Sequence, residues 1–309
     1  MRILIVSFCL MAILSGMTQT KTDSLLRLSD TADIHKKAGI YLEIAKASIK
    51  DSAKANNYNQ KAFAFAVAQN QKKEQAASVY LSAKILFTAR NFTDAIKWYE
   101  KAIPYYQRIN DTTSMTNCYS YIGISNFNLS KNKEAISAYL EGLKLSKNDP
   151  DYSAELLANI GLTHDVMDNF NEAISYYKQA LAINQSIRDT GSMAIDYDYL
   201  GITYNRMKKP DSSLVNYNKA LELFRKLKKE DRYAVSLTNT AWVLQNYPDS
   251  LEKAKSYFNM AWKTFQEIGW THYEPDINHG IACILKLEGK YDDAIALLKK
   301  SISQANRLK

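Results

Sequence analysis

The 309-residue chain has only ten glycines, five prolines and three cysteines. Average usage would supply about twice the glycine and three times the proline. This scarcity excludes collagen-like and disulfide-stapled folds and leaves few turn-makers. The longest apolar run, Ile3 to Leu14, falls short of the roughly 20 residues needed to cross a bilayer, which excludes a polytopic membrane protein. Forty Lys and Arg against 32 Asp and Glu give a net charge of +8. No basic block exceeds pairs such as Lys72-Lys73, Lys208-Lys209, Lys228-Lys229 and Lys299-Lys300, so a nucleic-acid partner is not expected. A Gly-rich phosphate loop, a Gly-x-Ser-x-Gly elbow and a His-Glu-x-x-His helix are all missing. His272 and His279, with Glu274 and Asp276 nearby, fit no common zinc spacing. No catalytic residue, metal or cofactor is therefore expected. Tyrosine is plentiful, at 21 residues, and points to long helices joined by short connections.

The first 20 residues read as a secretory signal peptide: Arg2 is the positive start, Ile3 to Leu14 the apolar stretch, and Ser15-Gly16-Met17-Thr18 the small residues of a cleavage region. Cys9 lies inside the apolar stretch behind Phe8, which does not suit acylation. The expectation is an exported protein, periplasmic or secreted, with no stable membrane insertion after cleavage.

A repeat dominates the rest. The small residues Ala55, Ala95, Ala135, Ala173, Ser213, Ala254 and Ala294 recur at intervals of 40, 40, 38, 40, 41 and 40, defining seven units. Four and seven residues later the same helical face returns, as Tyr99 and Ala102, Tyr139 and Gly142, Tyr177 and Ala180, Tyr217 and Ala220, and Phe258 and Ala261. Those aromatic rows are expected to fill the core. About twelve residues before each mark stands a second small residue, Ala83, Gly123, Gly161, Gly201, Ala241 or Ala282, so each unit holds two helices. Glycine costs a helix about 1 kcal/mol relative to alanine, and its recurrence predicts a close crossing of the paired axes. Asp111, Asp149 and Asp189 mark helix starts, the second followed by Pro150. Cys118 and Cys283, four repeat periods apart, are expected to stay unpaired as small buried hydrophobes.

These spacings resemble the tetratricopeptide repeat (TPR): small residues at positions eight, twenty and twenty-seven, an aromatic at twenty-four, and an apolar residue near seventeen (Phe92, Phe170, Leu251, Tyr291). The period near 40 resembles the long-repeat members of that family, and with the signal-like start it implies an exported, bacterial protein. The resemblance implies an all-α, right-handed α-solenoid of tandem TPR helix-turn-helix hairpins. Its expected divisions are the signal peptide at 1–20, N-terminal capping helices or a degenerate TPR at 21–72, with Glu43 at the eighth position, and six tandem TPR-like repeats at 73–309.

In that family the first helices line a concave groove. Carried over position by position, the groove would present Tyr80, Lys84 and Phe87, then Asn117, Ser120, Phe127 and Asn128. Asp165, Asp198, Asn205 and Arg206 follow, then Trp242, Gln245, Asn246 and His279. The mixture of amides, charges and aromatics suits a protein segment or peptide. The Lys and Asn pairs of a carboxylate clamp are not matched, since Ser120 with Ile124 and Ala158 with Leu162 hold those places. The implied function is a non-enzymatic scaffold that binds a protein or peptide. The alternative is an extracytoplasmic sensor or regulatory module resembling the input region of a bacterial histidine kinase or transcription regulator, acting through a separate or missing effector. In the last helix Ile295, Leu298, Ile302 and Ala305 form an apolar stripe, which predicts self-association, a tolerated bare end or a continuing chain.

Overall fold

The computed structural model describes residues 22–307; the expected signal peptide lies outside them. All regular structure among the described residues is helical. Helix α1 (residues 22–31) precedes α2 (Ile34–Ala47), α3 (Ser52–Ala68), α4 (Lys72–Thr88), α5 (Phe92–Gln107), α6 (Thr112–Asn128), α7 (Asn132–Leu145) and α8 (Pro150–Val166). Then come α9 (Phe170–Ile187), α10 (Thr190–Arg206), α11 (Pro210–Lys226), α12 (Glu230–Leu244), α13 (Leu251–Glu267), α14 (Glu274–Leu287) and α15 (Tyr291–Arg307). The one-residue insertion near Pro248 is taken up by a 3₁₀ turn over Pro248–Ser250. The chain divides into two compact units, one up to Asn159 and the other from Ile160. Within each, successive helices pack as hairpins, α2 on α3, α4 on α5, α6 on α7, α10 on α11, α12 on α13 and α14 on α15.

Local chemistry explains where helices begin and end. Asp33, Asp51, Asp111 and Asp189 accept hydrogen bonds from backbone N–H groups in the first turns of α2, α3, α6 and α10. Asp149 does the same for the Tyr152 N–H of α8, at 3.3 Å. The tight turns need left-handed backbone, and the shortage of glycine leaves this to other residues. Asn70, Arg90, Asn110, Ser130, Asp168, Arg188, Lys208 and Lys228 take φ between 52° and 60°, and only Gly269 and Gly289 use glycine.

The repeat marks are the inner seam. Ala55, Ala95, Ala135, Ala173, Ser213 and Ala254 are fully buried. The second-helix aromatics Tyr99, Tyr139, Tyr177, Tyr217 and Phe258 are at most 2% exposed. Each such ring contributes roughly 1.5–3 kcal/mol by leaving water. In the first unit Tyr99, Tyr106, Ala83, Cys118 and Ile122 share one cluster; in the second, Leu237, Phe258, Phe265 and Ile277 share another.

The repeated glycines lie where the paired helices come close, with Ser213 Oγ donating to Gly201 O at 2.7 Å, and they also make room for a ring. A Cβ on Gly123 would stand 2.3 Å from Tyr139 Cε1, and one on Gly201 would stand 2.6 Å from Tyr217 Cδ1. The first obstacle is the ring of the second helix, which lies across the glycine in the space a side chain would take. Gly280 accommodates the ring of Phe258 in the same way, although it is not at the repeat's eighth position. Cys118 and Cys283 are both free; Cys118 is buried as expected, whereas Cys283 is only partly buried because it lines an open cleft.

Candidate partner-binding site

The predicted groove residues lie on or at the ends of first helices, and the structure shows how many are already engaged. In the first unit Tyr80 of α4 meets Tyr99, Tyr106 and Tyr121 edge-on, with ring centroids 5.4, 6.2 and 6.3 Å away. Phe87 packs edge-on against Tyr121 at 5.1 Å, and Lys84 Nζ stands 5.9 Å from the same ring. Tyr121, absent from the predicted set, is thus the hub that joins the three. Its hydroxyl proton is held more tightly than usual by desolvation and then by the Glu155 carboxylate.

On α6, Asn117 Nδ2 donates to Tyr152 Oη at 2.5 Å, and Ser120 Oγ donates to Glu155 Oε1 at 3.4 Å. Both bonds span 35 residues and tie α6 to the next first helix. Glu155 is solvent-exposed at its outer edge yet enclosed enough that desolvation raises its pKa, against the Ser120 bond. It occupies the repeat's second position, the same as Asn117, and that is the signal by which sequence reasoning could have found it. Phe127 is half-buried, and Asn128 is exposed, with its Nδ2 donating to Ile124 O of its own helix at 2.8 Å.

In the second unit Asp165 accepts from Thr203 Oγ1 at 2.8 Å and from the Arg206 guanidinium. Arg206 also reaches Asp168 at 2.5 Å and lies 5.0 Å from the Phe170 ring centroid. Two predicted groove residues, Asp165 and Arg206, therefore form one clamp between α8 and α10, and their charges are matched within the protein. Asp198 is buried, and desolvation pushes its carboxyl up to about 6, against the nearby Ser236 hydroxyl and Arg232. Trp242 meets Phe258 and His279 edge-on at 5.5 and 5.4 Å, with His279 exposed. Asn205 is half-buried on α10. Gln245 caps α12 and Asn246 follows it, so these two stand at the helix end rather than along its face. With Cys283, Lys286 and Leu287 they line a cleft of about 510 Å³.

The face thus carries side chains with two duties. Asn117, Ser120, Asp165 and Arg206 connect neighbouring first helices at 35 to 41 residues' separation. Lys84, Asn128, Glu155, Asn246 and His279 keep polar atoms toward solvent, beside the half-buried rings of Tyr80, Phe87, Phe127 and Trp242. Among the described residues no group of three His, Cys, Asp or Glu side chains is placed to hold a metal, and no helix is long and apolar enough to cross a membrane.

Comparison with known proteins bears on the repeat and the fold. The family model for the tetratricopeptide repeat matches residues 154–187 and 275–307. Those two segments are tetratricopeptide repeats. The photosystem I assembly protein Ycf3 of Rippkaea orientalis is 29% identical over 93 residues, 30% of this chain and 53% of that protein. The chain thus spans about half the length of that curated relative. A Pyrococcus horikoshii signal-transduction ATPase of the STAND class with a TPR sensor superposes with a TM-score of 0.77 at 18% identity, over 96% of this chain and 45% of that one. The Rap conjugation gene regulator of plasmid pLS20, in complex with the Phr* peptide, gives 0.53 at 16% identity, over 87% and 73%. These structural likenesses establish a shared all-α solenoid architecture.

Proposed function

We propose that this protein is a non-catalytic, exported scaffold that holds an extended protein segment or peptide on the first-helix face of its TPR hairpins. The observation that carries the reading is the pairing of half-buried rings with outward amides and charges along that face. Tyr80, Phe87 and Phe127 offer apolar contact in the first unit beside Lys84, Asn128 and Glu155; Trp242 does so in the second beside His279. Such a surface can grip a backbone through side-chain amides while adjacent rings take up apolar side chains. The peptide complex of the Rap regulator motivates the choice of ligand class. Export rests on the signal-like residues 1–20.

The test is site-specific photo-crosslinking in the source cell, with a benzophenone amino acid at Asn128 or His279 on first helices and at Lys178 on the second helix α9. Adducts with one partner from the first-helix positions, absent at Lys178, are expected. Adducts only from Lys178, or the same partner from all three positions, would overturn the assignment of the face. Cell fractionation with sequencing of the mature N-terminus tests export, and an uncleaved cytoplasmic chain would overturn it.

A further inference from the structure

The junction between the first hairpin and α4 departs from the repeat at three positions. Where later second helices carry Tyr99, Tyr139, Tyr177, Tyr217 or Phe258, α3 has Asn59. Where Ile96, Ile136, Ile174 or Leu214 follows the small mark, α3 has Asn56; where Ile122, Ile160 or Leu200 precedes the small residue of a first helix, α4 has Ser82. The side chains that would fill the junction are replaced by short polar ones. They line a cleft of about 620 Å³, bounded by α3 and α5 with α4 beneath.

Its floor is a satisfied polar network. Asn59, 2% exposed, donates through Nδ2 to Ser78 O at 2.9 Å and Ser82 Oγ at 2.8 Å, and accepts from Ser78 Oγ at 2.7 Å. Phe63, Val79, Leu86 and Trp98 form the walls. Lys101 stands at the rim, its Nζ 4.4 Å from the Trp98 ring centroid, and no acidic residue lines the cleft. The corresponding cleft one junction later is as roomy, at about 720 Å³, but differs in chemistry: Ile96 and Ile122 stand in its wall, and Glu100, Glu134 and Glu141 line it together with Lys97 and Lys131. Apolar walls, an ordered polar floor and a cationic rim free of acidic neighbours suit an occupant with an apolar body and an acidic head. Its volume is within the range of small-molecule sites, about 300–1,000 Å³.

We propose that this cleft binds a small anionic amphiphile, its acyl or aromatic body against Phe63, Leu86 and Trp98 and its acidic head at Lys101 and the Asn56 amide. The site lies apart from the first-helix face, so its test is independent of the partner reading. The full chain is titrated with 1-anilinonaphthalene-8-sulfonate and with neutral N-phenyl-1-naphthylamine, using decanoate as competitor. One saturable site per chain, displaced by decanoate, is expected. Asn56→Trp, at an exposed position, should close the cleft and abolish that site for both dyes. Lys101→Glu, also exposed, should weaken the sulfonate about tenfold or more while leaving the neutral amine within about twofold. Absence of a saturable site, survival of binding in Asn56→Trp, or equal weakening of both dyes by Lys101→Glu would overturn the proposal.

A separate observation concerns α15. Tyr291, Ile295, Leu298 and Ile302 are 62%, 50%, 37% and 62% exposed and follow one another at four, three and four residues, a single apolar row. One side of the row is closed by the hairpin, where Ala294 and Ser301 are buried and Ser301 Oγ donates to Pro275 O of α14. The other side carries Asp292 and, seven residues on, Lys299. An antiparallel copy places Ile295 against Leu298, Tyr291 against Ile302 and Asp292 against Lys299, whereas a parallel copy would turn Asp292 and Lys299 toward the flank of Ala294 and Ser301, which the hairpin already closes. We infer that two chains associate through antiparallel α15 helices. Sedimentation equilibrium of the full chain should show dimers at roughly 10–100 µM, as befits a small interface. Asp292→Lys and Lys299→Asp should each weaken association about tenfold, and the double swap should restore it. A monomer throughout that range, or a dimer indifferent to both single changes, would refute the inference.

Discussion

Replacing Gly123 by alanine sets two magnitudes against each other. Intrinsic helix propensity favours alanine by about 1 kcal/mol, so at an open site the change would stabilise α6. At Gly123 the new methyl would lie 2.3 Å from Cε1 and 2.5 Å from Cδ1 of Tyr139, where carbon atoms normally rest about 3.5–4.0 Å apart. The ring is 2% exposed and cannot swing away. Relief must come from spreading α6 and α7 or from twisting the ring off its rotamer, and overpacking of this kind costs about 1–3 kcal/mol or more. A net loss of about 1–2 kcal/mol is expected. Gly39 in α2 is the control: a Cβ there meets nothing within 4 Å, and Gly39→Ala should stabilise by up to about 1 kcal/mol. Urea unfolding followed by circular dichroism measures both, and a cycle with Tyr139→Leu isolates the clash. If Gly123→Ala proves as stable as the parent, with no coupling to Tyr139, the glycine does not exist to admit the ring.

Four further outcomes are expected. The Tyr99 hydroxyl is buried without a hydrogen-bond partner among the described residues, so Tyr99→Phe should raise stability by about 1 kcal/mol in the same urea assay. Lys208 holds φ at 56°, where a side chain is strained, and Lys208→Gly should stabilise by about 1 kcal/mol; a loss would mean that the turn relaxes. Desolvation, opposed by the Asn184 amide, pushes Asp196 up to about 7, and burial pushes Asp198 up to about 6, both above the unfolded value near 4. The folded chain then holds more protons than the unfolded one across that window, so stability should fall as pH rises from about 4.5 to 7, by a few kcal/mol for the pair. Asp196→Asn should flatten this slope, and an unchanged pH profile of thermal unfolding would count against it. Burial, with a smaller push from Asp111, raises the Cys118 thiol to about 12, so mass-mapped iodoacetamide labelling should modify partly buried Cys283 well before Cys118.

The hairpin architecture was legible because each hairpin buries its seam against its neighbours, and that burial writes a small residue seven times and an aromatic four residues after it five times. The 40-residue period, the Asp-capped helix starts and the buried Tyr99, Tyr139, Tyr177 and Tyr217 all follow from local geometry repeated in phase. The use of each groove residue did not follow. Asp165 and Arg206 each read as a groove residue open to a ligand, but side chains 41 residues apart meet only once two hairpins have packed, and there they neutralise each other. Tyr121 and Glu155 became part of the face for the same reason, since a ring or carboxylate gains its neighbours from the adjoining repeat. The glycines gave their spacing to the sequence reader and their purpose only to the structure, where a tyrosine ring crosses each. Sequence alone determined the repeating hairpin, because helix formation and seam burial depend on residues within one period. Tertiary packing alone decided which polar groups are spent between hairpins, which remain open, and that Asn56, Asn59 and Ser82 meet in one cleft, because those depend on distances set between periods.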